Sequence, residues 1–203
     1  ENFVLKTPAM IPLAGPANKQ ARICANNIVG GTETYNGTQG TSIAKVFDLA
    51  AASTGVNEKT LIASGKVKGT DYFTALINQK SHAGYYPQAT PLTLKMIFDV
   101  DGRILGAQGV GQEGVDKRID TLAVTMRMGG TIYDLEELEL AYAPPFSSAK
   151  DPVNMLGFVA ENILKKLVSF VEYSEMDKIA AAGGQEHLIL DVGEDMERIV
   201  YSI

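Results

Sequence analysis

Cysteine is nearly absent from this 203-residue chain: Cys24 stands alone. One thiol rules out an intramolecular disulfide and a cysteine-based zinc cluster, and with only His82 and His187 in addition a metal site is poorly supplied. Basic clusters are also missing. The net charge is -6 and the pI is about 5.0, a balance that argues against nucleic acid or an anionic membrane as the partner. No apolar run approaches the roughly 18–20 residues that span a bilayer, and no charged-then-apolar leader opens the chain. A cytoplasmic, soluble, metal-free protein is expected. The first residue is Glu1, not Met, which reads as an excised or processed fragment.

What is present is enough for one core, or one domain plus appendages: 45% of residues are hydrophobic and 21% charged. Glu1 to Gly15 holds Pro8 and Pro12 and reads as extended, and Pro16 suits a first helical turn. Ala17, Ala21, Cys24 and Ile28 recur on one helical face, which Gly30-Gly31 ends. A strand is expected over Ile43–Ala50, a short helix over Asn57–Ala63 with Asn57 as N-cap, and a strand over Val67–Lys80. Leu92, Leu94, Met96 and Phe98 alternate with polar residues, Asp101-Gly102 marks a turn, and Arg103–Val110 returns. Val115, Ile119, Leu122, Ala123 and Met126 predict a helix over Gly114–Met128, followed by a shorter one over Leu135–Leu140. Asp151-Pro152 is a cap and first-turn pair for a helix whose apolar face is Val153, Leu156, Ala160, Ile163, Leu164 and Leu167. Ser174–Ala182 reads as a short helix and Leu188–Val192 as a buried-type strand. The fold class is α+β, an antiparallel sheet with helices packed on one face.

Several motifs invite functional readings. Gly109-Val110-Gly111-Gln112-Glu113-Gly114 matches G-x-G-x-x-G, with Asp134 about 20 residues on, as in a dinucleotide fingerprint. The preceding strand pairs as a hairpin with Leu92–Phe98 and does not open a βαβ unit, so a structural strand-to-helix turn is preferred. Cys24 lies on the apolar face of its helix and reads as a small buried hydrophobe. Ala14-Gly15-Pro16 enters a helix whose N-terminal end suits a group that is or becomes anionic. Tyr85-Tyr86-Pro87 and Tyr142-Ala143-Pro144-Pro145 place phenols on proline-stiffened loops, either as packing or as donors near a reacting thiolate or oxyanion. The charges of Asp116-Lys117-Arg118-Ile119-Asp120 read as a solvated or interfacial helix face.

Five segments then agree with one family in order and spacing. They are Ile11–Arg22, Gly40–Asp48, His82-Ala83-Gly84-Tyr85-Tyr86-Pro87, Gly114–Asp120 and Tyr142–Asn154. Over about residues 1–165 they resemble the C-terminal third of coenzyme A disulfide reductases and related NADH oxidases. That resemblance implies the tail of an FAD domain over 1–31 and a dimerisation domain over 32–168. Pro12, Leu13, Ala14 and Gly15 would face the flavin. Tyr142, with either Tyr85 or Tyr86, would reach across a homodimer into the partner's active site, where a coenzyme A disulfide or a related disulfide or polysulfide is reduced.

The full-length enzyme would use FAD and NAD(P)H; this chain alone is expected to bind neither and to be inactive. The redox cysteine, the FAD fingerprint and the NAD(P)H domain of the family are not within this sequence. Leu188–Val192 resembles the start of an appended rhodanese-like module over 169–203, with Gly193 where an arginine is usual. Two rivals differ in class: a homodimeric adaptor without catalysis, and a nicotinamide-binding enzyme built on Gly109–Gly114.

Overall fold

A computed structural model describes residues 1–171 and 173–181. The chain divides into two compact units, Glu1–Leu167 and Val168–Ile203. In the second, α6 spans Tyr173–Ala181, close to the expected helix; the strand expected at Leu188–Val192 lies outside the described residues.

In the first unit α1 (Ala14–Ile28) precedes β1 (Ser42–Val46), β2 (Leu49–Gly55), α2 (Glu58–Ala63), β3 (Tyr72–Lys80), β4 (Pro91–Asp99), β5 (Ile104–Gly111), α3 (Val115–Arg127), α4 (Ile132–Glu137) and α5 (Pro152–Leu164). The five strands form one sheet in the order β1-β2-β5-β4-β3, antiparallel throughout. The period-2 pattern in β4 sends Leu92, Leu94, Met96 and Phe98 to one face, where all four are buried. Phe98 sits opposite Phe73 of β3 with ring centroids 6.0 Å apart. Against that face pack Val115, Ile119, Leu122 and Met126 of α3, Ile132 and Leu135 of α4, and Val153, Leu156 and Ala160 of α5. The expected α+β layering is therefore what forms, and the 3.6-residue stripe of each helix supplies the second layer. Short α2 serves the opposite face: its Leu61 is buried with Val56, Tyr72 and Ile97.

Four local expectations need correction. The strand expected over Ile43–Ala50 is two strands, because Phe47 adopts φ 51° and the chain reverses at Phe47-Asp48 into the β1–β2 hairpin. Asp48 is a turn-forming type, but Phe47 is not and no glycine accompanies it, so period alone misses the turn. The strand expected from Val67 starts at Tyr72, since Val67 N–H donates to the Asp71 carboxylate at 2.8 Å and Gly69 takes φ +80°, closing a turn first. The helix expected over Leu135–Leu140 is α4, nucleated earlier by a capping box of Thr131 and Asp134. Finally, the apolar face of α1 is not covered: α1 has no buried residue and Cys24 is exposed. An amphipathic face buries its stripe only against a partner layer, and no described residue supplies one.

Gly109–Gly114 is a packing device. A Cβ on Gly109 would come within 2.9 Å of Leu94 Cδ2 and 3.1 Å of Val115 Cγ1, so the bare backbone lets α3 settle onto β5. Gly114 caps α3 in the left-handed region at φ +74°. Asp134, the would-be ribose ligand, has its carboxylate committed to Thr131 N–H at 2.6 Å and to the Thr131 hydroxyl at 2.7 Å.

Candidate functional site: two paired phenols on a buried ionic frame

Two loops carry the tyrosines. The first joins β3 to β4 and is closed at its base by Ser81 N–H to the Thr90 carbonyl at 2.8 Å, and by Thr90 N–H to Ser81 Oγ at 3.1 Å. His82, buried, braces it from within. Its Nε2 contacts the Pro87 carbonyl at 3.1 Å, an oxygen that can only accept, so that nitrogen carries hydrogen; its Nδ1 meets Ser81 Oγ at 3.1 Å. Tyr86 packs edge-on against the His82 ring with centroids 5.8 Å apart. The second loop runs from α4 to α5, where Pro144-Pro145 and the bonds of Phe146 N–H and Ser147 N–H to the Ala143 carbonyl fix a turn. Ala83 N–H donates across to the Ser147 carbonyl at 3.0 Å and the Pro144 carbonyl at 3.3 Å, tying one loop to the other.

Where the loops meet, Tyr85 Oη and Tyr142 Oη stand 3.3 Å apart. Both rings are exposed, Tyr85 by 78% and Tyr142 by 48%. The hydrogen bond to Tyr142 raises the Tyr85 phenol above the usual range. Of the two candidates left open at His82–Pro87, Tyr85 is thus the one paired with Tyr142, while Tyr86 is occupied by His82.

Beneath the pair lies Arg118, the largest fully buried side chain at 1% exposure. The expectation of a solvated or interfacial charge run fails at Arg118; Asp116 and Asp120 of the same run are exposed and Lys117 is half-buried. Residue 118 falls between Val115 and Ile119 on the buried stripe of α3, so its guanidinium points into the protein. Nε and Nη2 grip Asp151 Oδ1 and Oδ2 at 3.3 and 3.0 Å, a two-pronged pairing. Nη2 also donates to the Ser81 carbonyl at 2.9 Å and Ser147 Oγ at 3.2 Å, and Nη1 to the Gly114 carbonyl at 3.2 Å. Asp151 accepts in addition from Ser147 Oγ at 2.5 Å and, as N-cap of α5, from Val153 N–H at 3.0 Å. Burial pushes the Asp151 carboxyl up, but the Ser147 and Val153 hydrogen bonds and the Arg118 charge outweigh it and hold the group below the usual carboxylate range. The helical spacing of Val115, Arg118, Ile119 and Leu122 is the signal in the sequence that places this arginine inside.

Pro12–Gly15 forms a separate feature. Leu13 is the N-cap of α1, no side chain caps that end, and the first turn carries no acidic residue. Its N–H dipoles therefore face outward uncompensated. Nearby, Gly15, Pro16, Lys19, Tyr35, Thr38 and Arg127 line a cleft of about 240 Å³. Among the described residues no hydrogen bond joins Pro12–Gly15 to the tyrosine pair. Nor, among them, does any group of three or more His, Cys, Asp or Glu stand ready to hold a metal, and no helix is long and apolar enough to cross a membrane.

An antiparallel sheet backed by helices, with phenols presented on its loops and glycines used for packing, defines an α+β domain that exposes aromatic hydroxyls. The family described as the pyridine nucleotide-disulphide oxidoreductase dimerisation domain matches residues 41–152, more than half of the chain, and the protein belongs to it. A coenzyme A disulfide reductase of Staphylococcus epidermidis is 40% identical over 156 residues, 76% of this chain and 34% of that protein. The crystal structure of reduced Bacillus anthracis CoADR-RHD superposes with a TM-score of 0.84 at 50% identity, covering 91% of this chain and 33% of that one. A NAD-dependent persulfide reductase from A. fulgidus gives 0.80 at 42% identity, covering 86% and 32%. The chain thus spans about a third of the length of the curated relatives it matches.

Proposed function

We propose that this chain is the interface part of an FAD-dependent, NAD(P)H-linked disulfide oxidoreductase of the coenzyme A disulfide reductase or NADH oxidase type, working in the cytoplasm as a homodimer. In this reading 1–31 closes the FAD domain, 32–168 joins the subunits and 169–203 begins an appended module. Tyr142 and Tyr85 enter the partner's active site, where their hydroxyls donate to the developing thiolate of a coenzyme A disulfide or related persulfide. The observation that carries this reading is the exposure of both phenols: they are held together at the surface by a buried frame, and the described residues leave Tyr85 78% and Tyr142 48% exposed.

The residues at Pro12–Gly15 fit a flavin. Bound there, FAD would supply the electron relay between NAD(P)H and the disulfide. The uncapped, acid-free start of α1 offers N–H dipoles to the ring edge that takes on negative charge when the cofactor is reduced.

Mixed dimers of the full-length protein test the arrangement. One subunit carries Tyr85→Phe with Tyr142→Phe, and the other lacks the redox cysteine. If tyrosines act across the dimer, the mixed species recovers one working site although each parent homodimer is impaired. If they serve their own subunit, the mixture stays as inactive as its parents.

A further inference from the structure

The buried frame has more in it than fold stability requires. Replacing an ion pair of this kind by apolar residues of like volume is often neutral or stabilising, so stability alone is weak reason for an arginine at the centre of a core. What the guanidinium does here is geometric. It is the common partner of four elements: the start of the Tyr85 loop through the Ser81 carbonyl, the end of the Tyr142 loop through Ser147 Oγ, the N-cap of α5 through Asp151, and the N-cap of its own helix through the Gly114 carbonyl. Ser147 closes the ring, because its hydroxyl donates to Asp151 while its carbonyl accepts from Ala83 N–H, two residues before Tyr85. Gly114 is shaped to the same end, since a Cβ there would stand 2.1 Å from Arg118 Nη1.

We infer that Arg118 and Asp151 are positioning residues that lock the Tyr85 and Tyr142 loops into one unit, so that the two phenols are presented as a pair and move only together. The consequence for turnover rests on the proposed role of the tyrosines, but the coupling of the loops is a property of this chain. No other described side chain from outside the two loops bonds to both. With an arginine the lock is specific: a lysine at 118 keeps the charge but cannot reach Asp151, Ser81 and Ser147 at once, because its ammonium is a single point and the guanidinium is a planar fork.

The test is fluorine NMR on the full chain labelled with 3-fluorotyrosine, with the Tyr85 signal assigned through Tyr85→Phe. In the unsubstituted chain the labelled Tyr85 is expected to ionise above free 3-fluorotyrosine, and Tyr142→Phe to remove that elevation. Arg118→Lys is expected to lower the Tyr85 midpoint as far as Tyr142→Phe does, and Ser147→Ala to lower it in the same direction by less. The signal of Tyr72, buried in a different cluster, reports whether each variant is folded. A folded Arg118→Lys chain whose Tyr85 midpoint equals that of the unsubstituted chain overturns the inference. Should Arg118→Lys fail to fold, Ser147→Ala decides on the same criterion. Full turnover in a full-length Tyr142→Phe enzyme would defeat the proposed role of the tyrosines and leave the coupling to be judged on the fluorine titration.

Discussion

At the scale of single residues, the site depends on an ion pair taken out of water. Removing Asp151 leaves the buried Arg118 guanidinium charged and without a carboxylate partner, which costs about 3–5 kcal/mol in buried pairs. Asp151→Ala loses the cap of α5 as well, so equilibrium unfolding in urea is expected to show a loss at or beyond the upper end of that range. The sign of the acid dependence follows from the lowered folded-state pKa of Asp151. The carboxylate contributes stability that is fully present above its unfolded value of about 3.9 and is lost as pH falls through the folded value. Acid unfolding of the unsubstituted chain should thus steepen below about pH 4, and Asp151→Asn should flatten that part of the curve. Legibility at this scale was uneven. Asp151 was readable as a cap, because Asp-Pro at a helix start has a local mechanism. Arg118 was hidden inside a run of charges, where composition says surface and only the helical spacing says core. The pairing of Tyr85 with Tyr142, 57 positions apart, has no local signature.

Among the elements, glycine geometry decides which close approaches are possible. Gly106 in β5 faces the Val56 carbonyl so closely that a Cβ would lie 2.0 Å from that oxygen, a backbone atom that cannot swing away. Gly106→Ala is expected to cost about 3 kcal/mol or more by forcing β2 and β5 apart, read as a lower thermal midpoint. Gly109→Ala meets side-chain atoms that can shift, and about 1–3 kcal/mol is expected. Titration with NADH should show no saturable binding in either the unsubstituted chain or Gly109→Ala, since these glycines serve α3 and not a pyrophosphate. The helix α1 makes the opposite case. With Cys24 exposed, Cys24→Ser should change stability by less than about 0.5 kcal/mol, and the native thiol should react with a disulfide reagent without unfolding. Strands with strict alternation and helices with a clean stripe were legible: β4, β5 and α3 stand where the pattern puts them, and α5 does so up to Leu164, while Leu167 of its expected face lies past the helix end and is exposed. The β1–β2 hairpin was not, because Phe47 takes a left-handed conformation that its side chain does not advertise.

Across the molecule, the fold leaves apolar surface that a lone domain has little reason to keep. Phe47 at the hairpin tip is 93% exposed, and Ile43, Val46, Leu49, Leu76 and Val110 of the sheet are exposed with it. Large exposed apolar areas on a folded domain mark interaction surfaces, and obligate dimers hide 2,000 Å² or more in such contacts. The fold class was legible here because hydrophobic period and turn signals act locally; the proposed association of two copies rests on the resemblance of five motifs, since no residue pattern in one chain names its partner. Multi-angle light scattering on this chain at micromolar concentration tests the central claim most directly. Two copies of a 21.8 kDa chain should appear as a particle of twice that mass which persists on dilution, and a particle of single-chain mass at every concentration would contradict it.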